Sequence, residues 1–190
     1  MALTPEQLLA IARNYWPADQ EEYLRPEQSP AVARLQERWR QELEKMDRWD
    51  AFVRGLGAEL PGFIVTNVTA TFDACLRCAA YPEGERKPAS SRWVVVGCAS
   101  ILAPVYTVYG VRYEFSGTKR VGEQVFFEPL PEEMRAPADV MAKGIEARWG
   151  VSLLPREVAE TSIPLFVDPQ QPPHTTLFHA LFTSQPASVP

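Results

Sequence analysis

Cys75-Leu76-Arg77-Cys78 has the spacing of half a zinc site or of a thiol–disulfide motif, and Cys98 could supply a third ligand. A structural zinc site needs four ligands, and the only histidines, His174 and His179, lie far down the chain beside no further cysteine. A redox pair usually opens a helix, whose terminus lowers the thiol pKa. These cysteines instead close a β-patterned stretch, where their spacing points them to opposite faces of a strand. Nucleophilic hydrolysis requires a serine or cysteine, a histidine base and a carboxylate that orients it. His179 alternates with Leu177 and Leu181, the pattern of a core or edge histidine in a strand, and His174 follows two prolines in a loop. Neither a Gly-x-Ser-x-Gly elbow nor a phosphate-cradling glycine loop occurs. The carboxylate pairs Glu21 with Glu22, Glu132 with Glu133 and Glu157 with Glu160 fall in segments of solvated character. The residues therefore imply no catalytic set, no metal and no cofactor.

The elements around these residues are organised on Arg92 to Phe115. Its uncharged section Trp93 to Val111 is about the length of a membrane-spanning helix. Val94, Val95, Val96, Ile101, Val105, Thr107, Val108 and Val111 are β-branched, Tyr106, Tyr109 and Tyr113 add aromatics, and Pro104 sits mid-run. Such a composition favours a pleated surface, and the proline marks a strand end. Two strands are expected, about 92 to 102 and 105 to 116. The first has apolar or small residues on both sides and should be covered on both faces. The second turns Arg112 and Glu114 to water, opposite Val111, Tyr113 and Phe115.

Before this pair, Thr4-Pro5 with Gln7 reads as a capping box that opens a helix ending at Trp16, ahead of Pro17. Ser29-Pro30 starts a second, in which Val32, Leu35, Trp39, Leu43, Met46, Trp49 and Val53 share one face up to Gly55 or Gly57. Its polar face offers the pairs Glu37 with Gln41 and Glu44 with Arg48. Phe63 to Tyr81 alternates as one strand, with Val65, Asn67, Thr69, Thr71 and Asp73 on its polar side. Pro82 to Ser91 is an exposed loop. Ser116 to Gly122 reads as a basic turn holding Lys119 and Arg120, and Glu123 to Glu128 as a further strand. A helix is expected from Pro137 to Trp149 with Gly150 as its stop, then strands at Ser162 to Asp168 and Thr175 to Thr183 and a loose tail over 185–190.

Helices first, strands afterwards and one late helix give an α+β order. The expected architecture is a twisted antiparallel sheet of five to six strands with the second and third helices on one face. A chain of 190 residues with 46% hydrophobic content suits one domain, divided as 1–57 helical, 62–128 strands, 131–150 helix and 161–184 strands. The net charge of −5 opposes a nucleic-acid backbone as partner and suits a basic protein. The N-terminus carries Glu6 and no basic residue before its apolar positions, unlike a secretory signal. With an odd, sparse cysteine count, this points to the cytoplasm.

Tyr15, Trp16, Tyr23 and Arg25 cluster with Asp19, Glu21, Glu22 and Glu27 around them, an aromatic centre in an acidic rim. Aromatic residues and arginine dominate interface hot spots, and charge speeds encounter with an opposite partner; the same rings equally suit pinning the first helix to the domain. In overall organisation the chain resembles bacterial immunity proteins: acidic, α+β, rich in Ala, Arg and Pro, without a catalytic set. That resemblance implies neutralisation of a toxin by occlusion, with Tyr15 to Glu27 as the contact surface, and carries over no residue roles. The alternatives are a ligand-binding or enzymatic domain, with a pocket between the second helix and the sheet where Asn67, Asp73, Tyr106 and His179 meet, and a structural subunit of an assembly.

Overall fold

A computed structural model describes residues 3–84 and 90–190 of the chain. Helix α1 (Pro5–Ala12) opens with the expected box: the Thr4 hydroxyl accepts from the Gln7 N–H while the Gln7 side chain accepts from the Thr4 N–H. It leaves helical geometry one turn earlier than Pro17 alone requires. Residues 13–16 tighten into a turn, with the Tyr15 N–H on the Ala12 carbonyl. A four-residue helix, α2 (Gln20–Tyr23), is capped by the Asp19 carboxylate.

The expected single long helix is two, α3 (Pro30–Leu43) and α4 (Met46–Glu59). Tertiary packing breaks it. The Trp39 indole donates to the Asp73 carbonyl (2.8 Å), while α4 lays Trp49, Val53 and Leu56 along the sheet, and one straight cylinder does not reach both. Gly55 and Gly57 do not stop α4, because the packed side of the helix continues through Leu56 to Leu60. Of the two surface pairs, Gln41 donates to Glu37 as expected, but Glu44 pairs with Arg40 instead of Arg48.

The stretch from Phe63 to Tyr81 is not one strand but two antiparallel ones, β1 (Phe63–Asn67) and β2 (Cys75–Pro82), in register Asn67↔Cys78. Asn67 starts the reversal by accepting the Thr69 N–H, as its short amide can two residues on. The inward side of β1 is the reverse of the expected one. Phe63, Val65 and Asn67 face α4, and Ile64 and Thr66 face water. The expected loop Pro82 to Ser91 falls at 85–89 outside the described residues.

Strands β3 (Ser91–Ser100) and β4 (Val105–Ser116) match the central pair, and Pro104 lies in the connection between them. Lys119 and Arg120 belong to a strand rather than a turn. Gly117, with φ at +62°, closes a tight hairpin in which Ser116 pairs with Lys119 of β5 (Lys119–Phe126). The sheet runs β1-β2-β3-β4-β5, all antiparallel, and β6 (Ser152–Leu153) pairs parallel to β4. The fold is α+β with an open sheet.

Helix α5 (Glu132–Trp149) begins five residues before the expected Pro137, which it contains, and stops at the expected Gly150, left-handed at φ +62°. It joins α4 on one face of the sheet, over Val95, Ala99 and Tyr106. The other face, with Val94, Val96, Tyr109 and Val111, is covered by α1, α7 (Leu177–Leu181) and the irregular chain around Ile163 to Val167. The two late strands shrink to the bridges Ser162↔Thr176 and Val167↔Gln170, with a helical turn, α6 (Arg156–Ala159), before them. This region covers a finished face instead of extending the sheet. Among the described residues no helix is long and apolar enough to cross a membrane.

Helix α5 lies close to the sheet because β3 and β4 have glycines beneath it. A Cβ on Gly97 would stand 3.0 Å from Ile145 and 3.1 Å from Met141, and one on Gly110 would overlap the Met134 thioether. Gly110→Ala should therefore lower stability by about 1–3 kcal/mol, read as a lower urea midpoint at unchanged slope.

Candidate functional site

The sequence places its contact surface on Tyr15 to Glu27, and the fold divides that segment. Trp16 is 4% exposed and donates its indole N–H to the Ala180 carbonyl at 2.7 Å. Tyr23 packs against Phe166 with rings tilted by 55° and centroids 5.1 Å apart, and Tyr15 packs on the core that holds Trp16. Burial and the nearby Asp168 charge push the Tyr23 hydroxyl pKa up. The rings thus fasten the N-terminal segment to the domain. Glu22 is partly withdrawn, accepting from the Ser29 hydroxyl at 2.7 Å. Asp19, Glu21, Arg25 and Glu27 are exposed, with Arg25 paired to Glu21 at 3.0 Å, and the apolar side chain they surround is Leu24, at 68% exposure.

The residues offered for a polar pocket do not meet. Asn67 accepts from the Trp49 indole and donates to Asp50, Tyr106 donates to Glu146 at 2.6 Å, and His179 accepts from the Thr176 N–H at 3.1 Å. The space between α4 and the sheet is filled by Trp49, Val53 and Leu56. His179 lies in α7, not in a strand, and its ring caps that helix. All three cysteines are free and fully buried. Cys75 and Cys98 share one face, while Cys78 is packed on the other, its thiol donating to the Gly97 carbonyl at 3.8 Å. Burial drives the Cys75 and Cys78 thiols far above their ordinary range, which keeps them protonated and weak as ligands or nucleophiles. Among the described residues no group of His, Cys, Asp and Glu could hold a metal ion.

Arg77, between the cysteines, is a residue whose role the sequence does not announce. It is 3% exposed, 3.6 Å from the buried Asp73 carboxylate, and donates to the carbonyls of Val68 (3.2 Å) and Ser188 (3.1 Å). Burial raises the Asp73 pKa against the opposing pull of Thr183 and Arg77. The 185–190 tail is not loose. Tyr109 and Tyr113 donate to the carbonyls of Pro186 (3.1 Å) and Ala187 (2.8 Å), Tyr81 donates to that of Pro190, and Val189 is 9% exposed. These are positioning interactions inside the fold.

One feature open to a partner is a groove of about 740 Å³ beside β4, between α5, α6 and the chain after β5. Val108, Phe127, Leu153, Leu154 and Phe178 line its apolar part together with Ala138 and Ala142 of α5. The exposed carboxylates of Glu128, Asp139, Glu157 and Glu160 stand around it against a single guanidinium, that of Arg156, which is paired with Glu160 at 2.7 Å. No signal in the sequence gathers these residues, because six separate segments of the chain bring them together. Fold and site define an α+β domain with an acidic, apolar-floored groove at a sheet edge. No family model matches the chain, nor does any curated protein or solved structure.

Two measurements check these assignments. Removing one member of a buried ion pair leaves the other uncompensated, so Arg77→Leu should cost about 3–5 kcal/mol in urea unfolding, and Arg77→Leu with Asp73→Asn should recover most of it. Burial lowers the His179 pKa below 6.5, and its neutral ring is the acceptor for Thr176. The unfolded chain therefore binds the proton first as the pH drops. The stability from His179 is present above 6.5 and lost as the pH falls through its lowered folded value. His179→Gln should flatten the decline of Tm from about pH 7 to about pH 5 relative to the unaltered protein.

Proposed function

We propose that this chain is a non-enzymatic binding protein of the bacterial cytoplasm that neutralises a basic protein partner by covering it, as immunity proteins do their toxins. The observation that carries this reading is the groove beside β4, with an apolar floor to hold a side chain and four carboxylates to one guanidinium around it. Carboxylates of like sign around an apolar centre select a cationic partner and speed its approach, while the apolar contact supplies affinity. The net charge of −5 adds a long-range field of the same sign. The exposed ring of Asp19, Glu21 and Glu27 about Leu24 would extend the contact on a second surface. The groove's volume also falls in the range of small-molecule pockets, which favours as second reading an apolar ligand bearing an amine.

Affinity capture from the source organism tests the proposal with three forms of the chain: unaltered, Asp139→Lys with Glu157→Lys, and Glu21→Lys with Glu27→Lys. All substituted side chains are exposed, so the fold is retained. One basic protein should be recovered in near-equal amount by the unaltered chain, have its own activity blocked in the complex, and be lost with the groove variant. No stable partner for any form, or one held equally by the groove variant, overturns the reading.

A further inference from the structure

Alternation along β4 fixes which neighbour each main-chain group faces. The Phe115 N–H donates to the Ser90 carbonyl on the β3 side, and the Tyr106 carbonyl accepts from the Leu154 N–H on the opposite edge, each at 2.9 Å. Odd-numbered residues of β4 therefore bond to β3, and even-numbered ones present N–H and C=O to the outer edge. Two segments of opposite direction cover that edge. Antiparallel β5 ends at the pair Gly110↔Phe126, and parallel β6 ends at Tyr106↔Leu153. Val108 lies between the two ladders and is paired on that edge with neither. Pro129 and Pro155, which have no N–H, follow the two covering segments and turn them away. The window left in the sheet opens into the groove, and Val108 lines it.

We propose that this window is a strand-pairing site for an extended segment of the basic partner, a deepening that rests on the function proposed above. One residue of that segment exchanges two hydrogen bonds with the N–H and C=O of Val108. An apolar side chain beside it rests on Phe127 and Leu154, and lysine or arginine on either side meets Asp139 and Glu157. A donor and an acceptor side by side on a strand edge complement a peptide unit, and short segments are commonly bound by adding to such an edge. The carboxylates around the groove decide between chains by charge, which the main-chain contacts alone do not.

The test is an NMR titration of the full chain with acetyl-Lys-Val-Leu-Val-Lys-amide up to about 1 mM. Three further peptides accompany it: one with both lysines replaced by glutamate, one N-methylated at its leucine, and one N-methylated at both valines. The parent should shift the amide signals of Val108 and its groove neighbours, and the glutamate peptide should leave them in place. One of the two N-methylated forms should bind about five- to tenfold more weakly, since one of them removes the donor to the Val108 carbonyl in either register. Equal binding of both N-methylated forms overturns the strand pairing while leaving an acidic groove that selects cations. Shifts confined to 15–27, or no shift with the parent peptide, overturn the site. Failure of the broader reading shows separately, as the absence of any captured partner for the unaltered chain.

Discussion

Over the stretch from Val94 to Ala99 and its partners Val105 to Val111, strands β3 and β4 are apolar on both sides, and this makes the sheet intolerant of water on either face there. A sheet of that kind needs two covers, and each cover has to suit its face. On the side of Val95, Gly97, Ala99 and Tyr106 the surface is smooth and carries glycines, so two long helices lie down on it closely. On the side of Val94, Val96 and Tyr109 the face also presents the donors of Arg77, Tyr109 and Tyr113. A helix cannot satisfy these, because its carbonyls are already used within the helix except in the last turn. An irregular strap has free carbonyls, and the chain at Pro186, Ala187 and Ser188 provides them. The irregularity of the C-terminal part thus follows from the chemistry of the face it covers.

With both faces closed, unmet bonding capacity is left at the edges. Exposed strand edges invite pairing and are usually blunted by charge, proline or a covering segment. At β5 the edge is charged, with Lys119, Arg120 and Glu123 along it. At β4 the covering is discontinuous, because β5 and β6 approach Val108 from opposite ends and in opposite senses. Acidic side chains from the chain after β5 and from α5 and α6 gather where the covering fails. They make the opening selective instead of merely sticky, since an uncharged or acidic strand gains nothing from them.

The interior groups that might suggest chemistry are held in states that suppress it. The thiols of Cys75 and Cys78 are kept protonated by burial, His179 is kept neutral while it caps α7, and Arg77 is held by two carbonyls with Asp73 3.6 Å away. The exposed titratable groups, by contrast, carry a modest excess of carboxylates over cations, in line with the net charge of −5.

Local chemistry in the sequence was enough for the capping box at Thr4, the Ser29-Pro30 start, the Gly150 stop and the central pair of strands, because each depends on near neighbours or on the period of apolar side chains. It was enough as well for the α+β order and the acidic sign of the surface. Tertiary structure decided what depends on distant segments. The break between α3 and α4 follows from Trp39 reaching Asp73, and the turn after Asn67 places the buried Arg77 beside its ion-pair partner. The conversion of the late strands into a strap follows from donors more than 70 positions away, as with Tyr113 and Ala187. The aromatic cluster at Tyr15 to Tyr23 reads in sequence as either a surface or a pin for the first helix, and the fold makes it the pin, since composition does not say which side of a ring meets the core. The groove belongs wholly to the fold: Val108 is one valine among many until two strand ends stop short of it from opposite directions.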